Sequence, residues 1–298
     1  MTTISRIAAR VATVCALCAA PLAFAGQLNL DNPDDAFTAN RKIQCSTVDG
    51  EQVTYWWHGR AYSRRQGEKD KLLFNVEGMN TRQCTTISDP EKGEGFHLVS
   101  REILLYKDAK TGEVLSKWEN PWTGEEVDVL HVANDPVNFT SYKVGRFGPA
   151  KFYGTENGDR WWMTSTIPLW YPNVLGGDFQ KQIGGTYHAT EMFNFMGDLE
   201  SLLDTDTNTA DVQVGWVRMS DWLPWMMMDG REGVIYMHTA GRKIDSWDQM
   251  GDTMKAEIET HYPTYASPPP ADDDRKNETS WTYYKKVAEG TITPPERD

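Results

Sequence analysis

The sequence has 298 residues, 39% hydrophobic and 24% charged, with 43 acidic against 30 basic side chains and a formal charge of −13. That is the composition of a folded, soluble globular protein, so disorder is excluded as the default. The acidic excess repels nucleic acid and anionic membrane surfaces, which excludes a general role at either.

The first 25 residues stand apart. Arg6 and Arg10 precede an apolar run from Val11 to Ala20, and Ala23-Phe24-Ala25 offers a small-x-small cleavage site. This predicts a signal peptide cut after Ala25, leaving residues 26–298 as a single domain that is periplasmic or secreted. Losing the two arginines takes the formal charge from −13 to −15. The apolar run is too short to span a bilayer, so no stable membrane insertion is expected.

Asn32 is placed to cap a helix begun by Pro33, with Asp34 and Asp35 at the positive end of its dipole. Strands dominate thereafter. Asp49-Gly50 divides Lys42 to Val48 from EQVTYWWHGRAYSRR, and Asn157-Gly158 divides AKFYGT from DRWWMTSTIPLW; both dipeptides suit hairpin turns. KDAKTGE joins FHLVSREILLY to VLSKW, and GTYHATEMFNFMG, ADVQVGWVRMS and GVIYMHTAGRK follow as short aromatic or β-branched runs. Several strands carry bulky groups on both faces, such as Tyr55, Trp56, Trp57 and His58, which an open sheet wet on one side does not favour. The expected fold is mainly β, an antiparallel β-barrel or strongly curved meander sheet of about ten strands, calycin-like in general shape.

One amphipathic helix follows. Ser246 and Gln249 have the capping-box spacing, and Trp247, Met250, Met254 and Ile258 share a face. Pro263 to Glu278 reads as a Pro-rich strap, and TSWTYYKKV reads as a returning strand. Of the four cysteines, Cys15 and Cys18 leave with the signal. Cys45 and Cys84 then share an oxidising compartment, where a disulfide is the expectation and two separate buried thiols the alternative.

Common catalytic signatures are missing: no Gly-x-Ser-x-Gly, no phosphate-binding glycine loop, no His-Glu-x-x-His. DTDTNTAD, Asp204 to Asp211, spaces oxygens like the start of a calcium loop but has Thr209 where the loop needs Gly and Gly215 where it needs Glu. No metal or cofactor is therefore predicted. His131, with Asn134 and Asp135 just beyond, and His238, two residues after Tyr236 and four before Arg242, are the candidate acid–base residues, with Tyr236 beside them. The plainer reading makes each histidine a hydrogen-bond partner in an aromatic core.

Charged groups inside apolar strands are the other signal. LLFNVEGMNTRQC alternates so that Glu77 and Arg82 face opposite ways, and an inward charge left unpaired costs several kcal/mol. Arg101, Arg160 and Arg218 raise the same question: a latched ion pair or a ligand. SDWLPWMMMDG, Ser220 to Gly230, concentrates adaptable apolar surface around Pro224, and acidic flanks argue against a membrane contact. Core packing and a pocket wall remain. The pocket reading assigns Trp57, Glu77, Arg82, Asn134, Arg218, Trp222, Trp225, Met227 and Arg242 to the wall of an aromatic and Met-lined cavity. The expected function is binding of a hydrophobic or aromatic small molecule. The alternatives are an isomerase, cyclase or hydrolase of such a molecule, and a structural envelope protein with a filled interior.

GMNTRQC, TGEVLSKWENPWTGEEVDVLHVANDPV, WVRMSDWLPWMMMDGREGVIYMHTAGRKIDSW and NETSWTYYKK resemble the bacterial DUF1838 family of exported proteins, over roughly Asp34 to Val287. The resemblance implies export and a single domain. Many members carry a twin-arginine signal, which is absent here, and the family implies no substrate, cofactor or catalytic residue.

Overall fold

The computed structural model describes residues 26–175 and 184–297, so the signal assigned to residues 1–25 lies outside the described residues. The strands are β1 (Val53–Arg64), β2 (Leu72–Asp89), β3 (Gly93–Lys107), β4 (Lys117–Glu119), β5 (Glu126–Asp128), β6 (Val132–Asn134), β7 (Phe139–Tyr142), β8 (Val144–Gly145), β9 (Gly148–Pro149), β10 (Thr155–Asn157), β11 (Arg160–Pro172), β12 (Thr186–Asp198), β13 (Gln213–Ser220) and β14 (Val234–Ile244). The helices are α1 (Pro33–Gln44), α2 (Leu199–Leu203), α3 (Asp252–His261) and α4 (Ser280–Ala288). No helix among the described residues is long and apolar enough to cross a membrane.

The protein is mainly β. Ten strands form one antiparallel sheet in the order β10-β11-β12-β13-β14-β1-β2-β3-β6, with β7 also paired to β3. It is not a simple meander, because β14 docks on β1 over eleven residue pairs, from Thr54↔Ile244 to Arg64↔Val234. The closed-barrel alternative is not met: among the described residues no ladder joins β10 or β11 to β6 or β7.

Strand alternation sorts the side chains into two layers. Tyr55, Trp57 and Ala61 align with Asn80, Gly78 and Phe74 and, on the other side, with Lys243, Gly241 and Met237; this is called the inner face. One end of it is filled by the loop after β13. Pro224–Met226 makes a 3₁₀ turn, and Trp222, Trp225, Met226 and Met228 pack on Phe74, Tyr106 and Met237. The Trp225 ring lies 5.2 Å from Tyr106 and 5.7 Å from Phe74. The opposite end is filled by Ala39 and Ile43 of α1 against Tyr55, Trp161 and Phe195. A disulfide between Cys45 and Cys84, Cα atoms 6.1 Å apart, ties the end of α1 to β2. On the outer face, Met254 and Ile258 of α3 cover Met79, Ile103 and Leu105, beside Tyr262, Tyr265 and Tyr283.

The Pro-rich strap crosses this outer layer. Arg101 donates to the carbonyls of Thr264 and Ser267, both at 2.9 Å, and its Nε lies 2.9 Å from Asp135. The Tyr265 hydroxyl donates to the Ala133 carbonyl at 2.8 Å.

Three local expectations are corrected. Lys42 to Val48 is not a strand: Lys42–Gln44 complete α1, and the buried Lys42 ammonium donates to the carbonyls of Ser201, Leu202 and Asp204 at the C-terminal end of α2. That cation also binds Thr207 Oγ1 at 3.0 Å, within the stretch compared with a calcium loop. The capping box at Ser246 does not form. Gln249 instead exchanges hydrogen bonds with Asp245, a 3₁₀ turn spans Trp247–Gln249, and the helix restarts at Asp252. TSWTYYKKV is helix, not strand. Thr279 and Thr282 form a reciprocal cap, and Tyr283 and Val287, one turn apart, both pack in the outer cluster. The β-propensity of its Trp and Tyr residues gives way to capping and packing.

Candidate functional site

Between its two apolar ends the inner face changes character. Tyr55, Asn80, Glu102 and Asn134 lie side by side across β1, β2, β3 and β6. Arg82 is the next inward residue on β2, and Arg218 on β13 is opposite Glu191 on β12. Charge therefore enters the inner face from four strands.

Each group has part of its bonding satisfied. Arg82 donates from Nε to Asn80 Oδ1 at 2.7 Å and from Nη1 to Gln44 Oε1 at 3.2 Å, and its guanidinium lies 4.9 Å from the Tyr55 ring centre. Asn134 Nδ2 donates to Glu102 Oε1 at 2.6 Å. Arg218 pairs with Glu191 through Nη1 and donates from Nη2 to the Tyr187 hydroxyl at 3.0 Å. The remaining polar atoms, Glu102 Oε2, Arg82 Nη2 and Arg218 Nε, have no hydrogen-bond partner among the described residues. None of the three is among the fully buried atoms that lack a partner, so each keeps some accessible surface.

These groups are ringed by protein, yet the Arg218 and Glu191 side chains keep 14% and 19% of their surface accessible. Glu102 and Arg82 are likewise deep and only partly covered. Deep groups that keep accessible surface are candidates for contact with a small molecule. Glu102 also feels the charges of Glu191, Arg218 and Arg82, so the groups share one electrostatic site. Burial, and next the Glu191 charge, raise the Glu102 carboxyl above the ordinary range, against the opposing pull of Asn134 and the two arginines. Burial lowers Arg82. It also opposes the charge on Arg218, but Tyr187 and Glu191 outweigh it and hold that guanidinium well above its ordinary value.

Aromatic rings bound the charged layer. Trp57 meets Trp216 edge-on with centres 6.2 Å apart, and Phe193 stacks along β12 on Phe195 at 5.8 Å. Trp57 lies flat over Gly78, where a Cβ would stand 2.5 Å from its indole nitrogen, so only glycine admits the ring. That nitrogen is buried and has no hydrogen-bond partner among the described residues.

Of the residues assigned to a pocket from sequence, Trp57, Arg82, Asn134 and Arg218 meet here. The others lie elsewhere. Trp222 and Trp225 are in the packed end of the inner face, 0% and 5% exposed, and Met227 points to solvent at 42% exposure. Glu77 faces outward and accepts from Trp56 Nε1 at 3.0 Å and Lys107 Nζ at 2.8 Å, the latched-ion-pair outcome. Arg101 with Asp135 and Arg160 with Asp198 are latched in the same way. Arg242 and His238 are exposed on the outer face. Tyr236 donates to Asp70 at 2.9 Å and stacks on Tyr62.

His131 is a core residue. Its Nδ1 accepts the Tyr106 N–H at 3.0 Å, and burial, helped by the charges of Arg297 and His261, pulls it down to about 3. It is a neutral imidazole at physiological pH. Sequence reasoning missed Glu102, Glu191, Asn80 and Tyr187. Glu102 carried a readable signal, a carboxylate followed by Ile103, Leu104 and Leu105 in a strand, whereas Glu191 becomes informative only once β12 is paired with β13.

Residues 50–288 match the model of a family described as a protein of unknown function, DUF1838. No curated protein matches the chain.

Proposed function

The chain belongs to the DUF1838 family, which prescribes no chemistry, and from its own site we propose that it binds a small molecule in the inner hollow. The ligand has an aromatic or apolar body, held against Trp57, Trp216 and Phe193, and a polar end that meets Arg82 and Arg218 with an acceptor or anion and Glu102 with a donor. One observation carries this reading: Glu102, Arg82 and Arg218 lie deep in the protein, yet each keeps an unpartnered polar atom with some accessible surface. Keeping charges so deep costs several kcal/mol unless water or a ligand completes their bonding.

The same charges support a strongly curved, calycin-like sheet. β3 and β13 are four strands apart along the ladder, about 19 Å in a flat sheet, too far for the coupling of Glu102 to Arg218. A curled sheet brings β3 opposite β12 and β13. Trp281 of α4, 5.0 Å from Tyr187, then lies over the open side. Export to the periplasm or beyond is part of the proposal; the Cys45–Cys84 disulfide favours an oxidising compartment.

The test is native mass spectrometry of protein purified from its own cell envelope, followed by tryptophan-fluorescence titration with whatever small molecule is retained. Binding should quench wild-type emission and weaken in Arg82→Met. An interior that retains nothing and excludes small aromatic carboxylates at millimolar concentration sinks the proposal.

Glu102 favours a second reading, an enzyme. A carboxyl with a raised pKa, held by Asn134 beside two guanidiniums, can exchange a proton with a bound molecule while an arginine stabilises the resulting anion. It replaces His131 and His238 as the acid–base candidate. Glu102→Gln should then retain binding and abolish conversion of the retained molecule.

A further inference from the structure

The outer face carries a second cluster that the hollow does not use. His238, Arg60, Asn75 and Lys107 lie in one row across β14, β1, β2 and β3, all facing outward. At about 4.8 Å per strand, the row is about 14 Å long. It floors an open groove of about 710 Å³, with His58 and Trp56 farther along β1.

Lys107 is held by Glu77 at 2.8 Å, whereas Arg60 has no ion partner among the described residues. The nearby carboxylates are already engaged. Glu77 accepts from Lys107 and Trp56, and Asp252, at the groove's rim, pairs with Lys255 at 2.9 Å. Arg60 and His238 are exposed and make no ion pair or hydrogen bond through their side chains among the described residues. In a chain of formal charge −13, Arg60 is thus an exposed cation without an ion partner among the described residues, with the His238 imidazole and the Glu77-paired Lys107 in the same row. The first turn of α3 forms the facing wall; Gly251 provides no capping side chain and sits so close that a Cβ there would stand 2.5 Å from Glu77 Oε1.

We propose that this groove is a second binding site, for a small organic polyanion: anionic oxygens lie along Arg60, His238 and Lys107, and any planar part rests on Trp56. The volume suits a molecule of metabolite size. Carboxylate and phosphate oxygens satisfy the same donors, so the shared chemistry is a compact molecule with two or more negative groups.

Citrate and pyrophosphate serve as probes, titrated separately into the exported full-length chain by calorimetry at low salt, with indole and amide shifts followed by NMR. Wild type should bind at least one of them, and which binds tighter tells carboxylate from phosphate preference. The Trp56 indole N–H should shift and the Trp57 indole should not. Arg60→Gln should weaken binding about tenfold, while Arg242→Gln, exposed on the neighbouring strand β14 but outside the groove lining, should not. Thermal melts confirm that both variants fold. No binding of either probe, shifts at Trp57 instead of Trp56, or equal loss in the Arg60 and Arg242 variants would overturn the proposal.

Discussion

Arg218 and Trp222 are four residues apart, and they end in opposite kinds of interior. Arg218, near the end of β13, joins the charged layer through Glu191, while Trp222, just past the strand, seals one end of the same face. The sequence invites the reverse emphasis, because SDWLPWMMMDG looks like the lining of a greasy cavity. Trp and Met together fill irregular space well, and here they fill it completely. An abundance of apolar surface thus marks where this protein is solid, and charge inside a strand marks where the ligand site is proposed.

The sharpest way to break that contrast is Trp222→Ala. A packed indole should cost about 4 kcal/mol when truncated, read as a shift in urea midpoint. A loss below about 1 kcal/mol would mean that the ring borders open space after all. Arg218→Met tests the other side. It strands Glu191 and frees the Tyr187 hydroxyl, and should cost about 3 kcal/mol, tempered because both charged side chains keep some accessible surface. Adding Glu191→Gln should recover part of the loss, since the stranded charge is then gone. A cycle with no coupling would deny that the pair is a unit.

His131 gives an intermediate effect with a defined sign. Its pKa falls from about 6.5 unfolded to about 3 folded, so the unfolded chain takes up a proton between those values and the folded chain does not. Its contribution is fully present above pH 6.5 and is lost as pH falls toward 3, about 2 kcal/mol between pH 7 and pH 5. Glu102 slopes the other way: a raised carboxyl keeps its proton longer in the folded protein, so its contribution is present at low pH and lost as pH rises through the raised value. In His131→Asn, where an amide oxygen can still accept the Tyr106 N–H, the stability measured in urea should fall less steeply from pH 7 to pH 5. An unchanged slope would mean that another group sets the acid limb.

These contrasts mark how far the sequence could be read. Alternation along β1, β2, β13 and β14 is strong because one face of each is buried, so the sheet, its strand count and the opposite facing of Glu77 and Arg82 were legible from single strands. The disulfide was legible from compartment logic. What was not legible depends on which strands are neighbours. Arg218 with Glu191, and Glu102 with Asn134, are cross-strand pairs between segments separated by 27 and 32 residues. α4 was misread because its aromatic residues favour strands, and only its packing on the sheet decides for helix.

Met227 offers the smallest and most selective test. It stands at the end of the 3₁₀ turn with φ of 51°, in the left-handed region, and its side chain is 42% exposed. A non-glycine residue there costs about 1 kcal/mol, and glycine relieves that cost while adding unfolded-state entropy. Met227→Gly should therefore gain about 0.5 kcal/mol, read as a slightly higher urea midpoint. It should leave binding in the hollow unchanged, because this methionine turns away from the interior that Trp222 and Met228 fill. A loss of ligand affinity in this variant would return the segment to the pocket wall and undo the contrast with Arg218.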